Sequence, residues 1–203
     1  MPAEKVAGIL LAAGSSTRMG ENKLLLEIGG EPLLRRVARQ AAEGGLDPLV
    51  VVLGHEPERT RAALAGLDCM PVVNPDFASG QPSSVAAGIA ALPEEVSAAM
   101  ILLADMPFVN PEMIRGLVER RQLRGARLVI SRYGEVQAPP ALYDRSLFAE
   151  LSNMTDGRCG REVISRHRDE AEALVWPSDR LADLDLPDDL ARVRALAATF
   201  DSA

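Results

Sequence analysis

The run LAAGSSTRMGENK, residues 11–23, sets four small residues, Ala13, Gly14, Ser15 and Ser16, ahead of two cations, Arg18 and Lys23. Small residues let backbone N–H groups come close to an anion, and the guanidinium and ammonium add full positive charges. The segment therefore has the chemistry of a phosphate cradle, suited to a triphosphate. Two familiar glycine loops are excluded by spacing. A Walker A loop has four residues between its glycines and then Lys-Ser/Thr, whereas Gly14 and Gly20 enclose five and are followed by Glu21. A dinucleotide loop needs glycine at its middle position, where Ser16 stands. A second candidate is Asp105, which closes an apolar run and is followed by Met106-Pro107.

These residues need a scaffold that holds them together. Residues 6–12, 49–53, 69–73 and 98–103 are short apolar runs, as expected of strands buried on both faces. Between them, Leu33, Leu34, Val37, Ala38 and Ala41 recur at helical spacing after Pro32, and residues 59–67 and 83–92 have helical composition. Asn110-Pro111 caps a further helix carrying Met113, Ile114, Leu117 and Val118 on one face. Strands at 128–131 and 141–143 and helices at 161–167 and 187–198 complete a less regular last third. The alternation predicts an α/β fold, a single-domain, Rossmann-like, mostly parallel sheet with helices on both faces. Ligands of such sheets bind beyond the carboxyl ends of the strands, so residues 14–23, 74–84 and 105 should converge on one edge.

Composition narrows the partners. At 203 residues, with 47% hydrophobic and 25% charged residues, the chain suits one domain, with no repeat, low-complexity linker or boundary. A net charge of −7 argues against a surface that gathers nucleic-acid phosphates. No apolar run approaches the roughly 18 residues of a membrane span, and the opening MPAEKVAGILLAAG reads as a first strand and its loop rather than a signal peptide. Cys69 and Cys159 stand apart, without metal or redox spacing. The expected location is the cytoplasm. His55 and His167 have no neighbour that specifies a catalytic dyad, and surface or structural roles are expected for both.

The order of residues in the opening loop, LAAG-S-S-T-R-M-G-x-x-K-L-L-L, resembles the signature of the MobA-like nucleotidyltransferases, especially the molybdenum cofactor cytidylyltransferases. Three further segments carry the resemblance: LLADMPFV at 102–109, GQPSSVAAG at 80–88 with Pro82 where serine is usual, and DLDLPDDL at 183–190 with Leu186 where threonine is usual. The resemblance implies the nucleotide-diphospho-sugar transferase type of fold, with a nucleotide-binding part over about residues 1–110 and an acceptor-binding part over about 111–203. It implies nucleotide binding by Leu11, Ala12, Ala13, Gly14, Ser15, Ser16, Asn74, Gly80, Ser83 and Ser84, and catalysis by Arg18, Lys23 and Asp105. Mg²⁺ would be held by Asp105 with Asp185, or Asp183 in its place; a helix N-cap is an equal reading of the late aspartates.

In that family Ala-Ala-Gly accompanies cytidylyl transfer and Ala-Gly-Gly guanylyl transfer, so Ala12-Ala13-Gly14 favours CTP, with ATP and GTP to be tested. The implied acceptor is a molybdopterin phosphate, with transient contact to a recipient molybdoenzyme. Residues 137–143 and 156–161 depart from the family pattern, and both lie in the acceptor part. Acceptor identity is accordingly less determined than nucleotide transfer. A sugar- or alditol-phosphate nucleotidyltransferase and a non-catalytic nucleotide-binding cofactor chaperone or regulator stay open.

Overall fold

The computed structural model describes residues 5–14, 21–155, 160–182, 184 and 189–200. In the first half, strand β1 (Val6–Ala12) is followed by a small hairpin of β2 (Glu27–Ile28) and β3 (Glu31–Pro32), then helix α1 (Leu33–Glu43). Next come β4 (Leu49–Leu53), α2 (Pro57–Ala63), β5 (Met70–Val73), α3 (Gln81–Ala90) and β6 (Ala98–Leu103). The second half contains α4 (Pro111–Arg124), β7 (Leu128–Tyr133), β8 (Val136–Asp144), α5 (Phe148–Ser152), α6 (Arg161–Arg166), β9 (Glu172–Trp176) and α7 (Asp189–Phe200).

Seven strands form one sheet in the order β5-β4-β1-β6-β8-β7-β9. The first four are parallel; β8 runs antiparallel to both β6 and β7, and β9 returns parallel to β7. Alternation along β1 explains the two layers. Val6, Leu10 and Ala12 pack with the buried faces of α1, α4 and α7, while Ala7, Ile9 and Leu11 pack with those of α3, α5 and α6. Helices thus cover both faces of a mostly parallel sheet, as the sequence predicts. Among the described residues no helix is long and apolar enough to cross a membrane.

The elements differ from the sequence reading in ways that have local causes. Helix α2 starts at Pro57 and α3 at Gln81, each two residues early, because Pro57 and Pro82 sit in first turns where a missing N–H costs nothing. The strand expected at 141–143 extends back to Val136 through Pro139-Pro140, opposite a register shift between Ile130 and Arg132. Prolines concealed it, since they cannot donate to a ladder. Strand β9 was not expected: its residues alternate between half-buried and exposed at the sheet edge, without a continuous apolar run.

Two register facts set the functional edge. Ala12 lies opposite Leu53 of β4, and Leu11 lies opposite Leu103 of β6, so β1, β4 and β6 end side by side. Helix α3 packs hard against this edge at Gly88, where a Cβ would come within 2.4 Å of Ile9 Cγ2 and 3.2 Å of Val52 Cγ2.

Candidate functional site

Backbone hydrogen bonds tie the three strand exits together. The N–H of Ala104 donates to Leu11 O at 3.1 Å, that of His55 to Ala13 O at 3.3 Å, and that of Asn74 to Leu53 O at 2.8 Å. Above them opens a cavity of about 590 Å³. Its walls come from the end of β1 and the following loop (Leu11, Ala12, Ala13, Gly14), from Lys23 and Leu24, from His55, from Phe77 and Ala78, from Gly80, Gln81 and Ser84, and from Leu103 and Asp105. An added Cβ at Gly14 would meet nothing within 4 Å, so its backbone faces open space. At Gly54 the opposite holds: a Cβ would lie 2.6 Å from Phe77 Cβ and 2.7 Å from Ala13 O, so only glycine lets Phe77 pack onto that wall.

Lys23 and Asp105, 82 residues apart, meet across the cavity with Nζ 2.8 Å from Oδ2. The other carboxylate oxygen, Asp105 Oδ1, is buried and has no hydrogen-bond partner among the described residues. A buried anionic oxygen left in this state is costly unless a ligand completes it. It is a hard donor of the kind Mg²⁺ selects, and Mg²⁺ needs only one or two carboxylates when phosphates and water supply the rest. Among the described residues no group of three or more His, Cys, Asp or Glu forms a cage for a metal. Asp105 therefore fits a metal shared with a phosphate ligand.

Lys23 opens a short 3₁₀ turn, Lys23–Leu25, capped by Asn22. The buried Asn22 accepts from Leu24 N–H at Oδ1 (3.2 Å) and donates from Nδ2 to Glu56 Oε2 (3.1 Å). Arg59 donates to the second Glu56 oxygen at 2.6 Å. Hydrogen bonding by Arg59, then by Asn22, holds the Glu56 carboxyl below the usual carboxylate range, so it is ionised at neutral pH.

On the opposite wall, Gly80 adopts φ +109°, a conformation suited to glycine, and delivers the chain into the ten-residue helix α3, whose first turn borders the cavity. Helix N-termini favour anions. Asn74, nearly fully buried, donates to Ser83 Oγ (2.9 Å) and Ser84 Oγ (3.0 Å) and accepts the Asp76 N–H at 3.0 Å. Ser83 Oγ in turn donates to Asp76 O and Gly80 O.

Of the residues expected from sequence, Leu11, Ala12, Ala13, Gly14, Lys23, Gly80, Ser84 and Asp105 line one cavity. Asn74 and Ser83 brace the loop behind it instead. Ser15, Ser16, Arg18, Asp183 and Asp185, together with Cys159, lie outside the described residues. His167 has a structural place, with Nε2 3.0 Å from Glu150 Oε1. His55, for which a surface or structural role is expected, lines the cavity with Phe77, their ring centroids 6.4 Å apart. A signal for both existed: each follows a strand, β4 or β5, at the carboxyl edge where ligands bind. Nothing in the sequence marked Asn22 and Glu56.

Comparison with known proteins bears on this site. Residues 8–171 match the family described as MobA-like NTP transferase domain. Nicotine blue oxidoreductase of Paenarthrobacter nicotinovorans is 29% identical over 185 residues, covering 86% of this chain and 88% of that protein. The bifunctional protein GlmU of Anaeromyxobacter sp. (strain Fw109-5) is 48% identical over 62 residues, 30% of this chain, and the match spans only 13% of GlmU's own length. The crystal structure of Rv0371c from Mycobacterium tuberculosis H37Rv superimposes with a TM-score of 0.84 at 24% identity, covering 95% of this chain and 99% of that one; the same protein has been solved in complex with manganese.

Proposed function

Because the chain belongs to the MobA-like NTP transferase family, we propose that it transfers a nucleoside monophosphate, CMP from CTP, to the phosphate of a molybdopterin-type acceptor in a Mg²⁺-dependent reaction that releases pyrophosphate. The observation that carries this reading is the meeting of Lys23 and Asp105 at 2.8 Å beside the backbone of Ala12, Ala13 and Gly14 and the first turn of α3.

An acceptor phosphate oxygen attacks the α-phosphorus; a new P–O bond forms as the bond to the β-bridging oxygen breaks, and pyrophosphate leaves with that electron pair. The attacking phosphate is already anionic at neutral pH, so the site needs no general base, in keeping with a cavity whose one histidine, His55, has Nε2 3.9 Å from Glu56 Oε2, beyond hydrogen-bond reach. Catalysis then consists of positioning and charge neutralisation. Lys23, joined by Arg18, carries positive charge to the triphosphate and to the leaving pyrophosphate. Gly80 and Ser84 orient the nucleotide, with Asn74 and Ser83 holding Ser84 in place. Asp105, with Asp185 or Asp183 from the late motif, would hold Mg²⁺, which when bound neutralises phosphate charge. The favoured nucleotide is CTP on the strength of Ala12-Ala13-Gly14. Residues 111–203 would receive the acceptor, and the product would pass in the cytoplasm to a molybdoenzyme.

The test is pyrophosphate release with each of four nucleoside triphosphates in Mg²⁺, with and without molybdopterin. Release with CTP that depends on molybdopterin is expected. Release only with a sugar or alditol phosphate would replace the acceptor, and CTP binding without release would make the protein a chaperone or regulator. A second reading is favoured by one observation, the likeness over most of both chains to nicotine blue oxidoreductase. Redox turnover of nicotine blue, in the absence of any pyrophosphate release, would establish it in place of nucleotidyl transfer.

A further inference from the structure

We propose that Glu56 is a positioning residue for Lys23, acting through Asn22, in the nucleotide transfer put forward above. The proposal rests on that reading for its consequence but on separate geometry for its mechanism. Among the described residues Glu56 is the one non-glycine with positive φ, at φ 49° and ψ 54°. Side chains other than glycine adopt this region at a cost, and such residues persist where surrounding contacts over-determine them.

The contacts at Glu56 identify what is gained. Its backbone carbonyl accepts the Thr60 N–H at 3.1 Å, anchoring the residue to the first turn of α2. The left-handed backbone is compatible with both this anchor and a carboxylate directed to Asn22, 34 residues away. Asn22 is 5% exposed, and its Oδ1 is committed to the Leu24 N–H. That commitment fixes the orientation of the amide, so its Nδ2 points to a place where an acceptor is needed, and Glu56 Oε2 supplies it. Leu24, held by the cap, is buried and lines the cavity next to Lys23. The chain of contacts therefore runs from the exit of β4 through Asn22 to the turn that aims the Lys23 ammonium at Asp105.

Three substitutions separate hydrogen bond, charge and backbone strain. Glu56→Ala removes the acceptor; Glu56→Gly removes it and relieves the positive φ; Glu56→Gln removes the charge and keeps an acceptor for Asn22. The first readout is independent of activity. Lys5 and Lys23 are the only lysines in the sequence, and Lys5 is exposed, so it serves as an internal standard for reductive methylation followed by mass spectrometry. Methylation of Lys23 relative to Lys5 should rise several-fold in the Ala and Gly variants and stay at the wild-type ratio in the Gln variant. In the CTP assay, kcat should fall about tenfold in the Ala and Gly variants with KM changed less, and Glu56→Gln should keep at least half of wild-type turnover. The Gly variant should melt no lower than wild type.

Equal Lys23 labelling in all four proteins would overturn the proposal. So would a Gln variant as defective as the Ala variant, or kcat losses that simply follow a lowered melting temperature. If the wild-type protein releases no pyrophosphate with any nucleotide, the transfer reading falls, while the labelling contrast still decides whether Glu56 positions Lys23.

Discussion

Two carboxylate–cation pairs of nearly the same length lie at opposite parts of the sheet. Lys23 Nζ is 2.8 Å from Asp105 Oδ2, and Arg121 Nη2 is 2.9 Å from Asp144 Oδ2. In the second pair the remaining oxygen, Asp144 Oδ1, accepts the Ser146 N–H at 2.9 Å, while Arg121 Nη1 donates to Ala126 O at 2.9 Å. In the first pair Asp105 Oδ1 is buried without a partner among the described residues, and its residue borders a cavity. Equal distances thus accompany different roles. Where both carboxylate oxygens are used, the pair fastens α4 to the end of β8; where one oxygen is left over among the described residues beside a cavity, the pair is open to a further ligand.

This contrast can be broken most directly at Asp105. Asp105→Ala should abolish pyrophosphate release, by about 10³-fold or more, and added Mg²⁺ should not restore it. A variant with wild-type Mg²⁺ dependence would remove Asp105 from the metal site. Next in size is Lys23→Ala, expected to bind nucleotide more weakly and to turn over roughly 10²- to 10³-fold more slowly while remaining folded. Unchanged turnover at saturating CTP and Mg²⁺ would place its ammonium outside the reaction.

The structural pair should respond in the reverse sense. Arg121→Met should cost roughly 1–3 kcal/mol of stability, read as a lower urea midpoint, because it leaves a partly buried carboxylate without its cation. Its kcat, measured well below the melting temperature, should match wild type. The smallest effect is a pH dependence. Burial pushes the Asp144 carboxyl up, but hydrogen bonds from Ser146 and the charge and hydrogen bond of Arg121 outweigh it and hold the group below its ordinary value. A depressed folded-state value means stability that is present above the unfolded pKa, near 3.9, and lost as pH falls through the folded one. Urea midpoints at pH 3 and pH 7 should therefore differ less in Asp144→Asn than in wild type, and an identical difference would show that Asp144 does not titrate with unfolding.

The same contrast shows which features were legible beforehand. Asp105 could be read because a continuous apolar run, Ala98–Leu103, ends just before it at chain-breaking residues, a pattern confined to a few neighbouring positions. The placement of Ala13, Gly14 and Lys23 at the cavity was legible for the same reason. The two prolines of β8 hid the first part of a strand expected only at 141–143, which the sheet accepts running antiparallel, and β9 lacked an apolar run because it lies at an edge. His55 and Phe77 became site residues through packing that Gly54 permits, since a methyl there would strike both Phe77 and the Ala13 carbonyl.

By itself, the amino-acid order determined the parallel half of the sheet and the shared edge at which β1, β4 and β6 end, because buried-strand runs and helix-starting residues act over short stretches of chain. Only the tertiary structure decided that β8 would invert beside β6, and that Glu56 would reach Asn22 across 34 residues. Such pairings depend on which edges and side chains are brought together when distant segments pack, and no local pattern encodes that meeting.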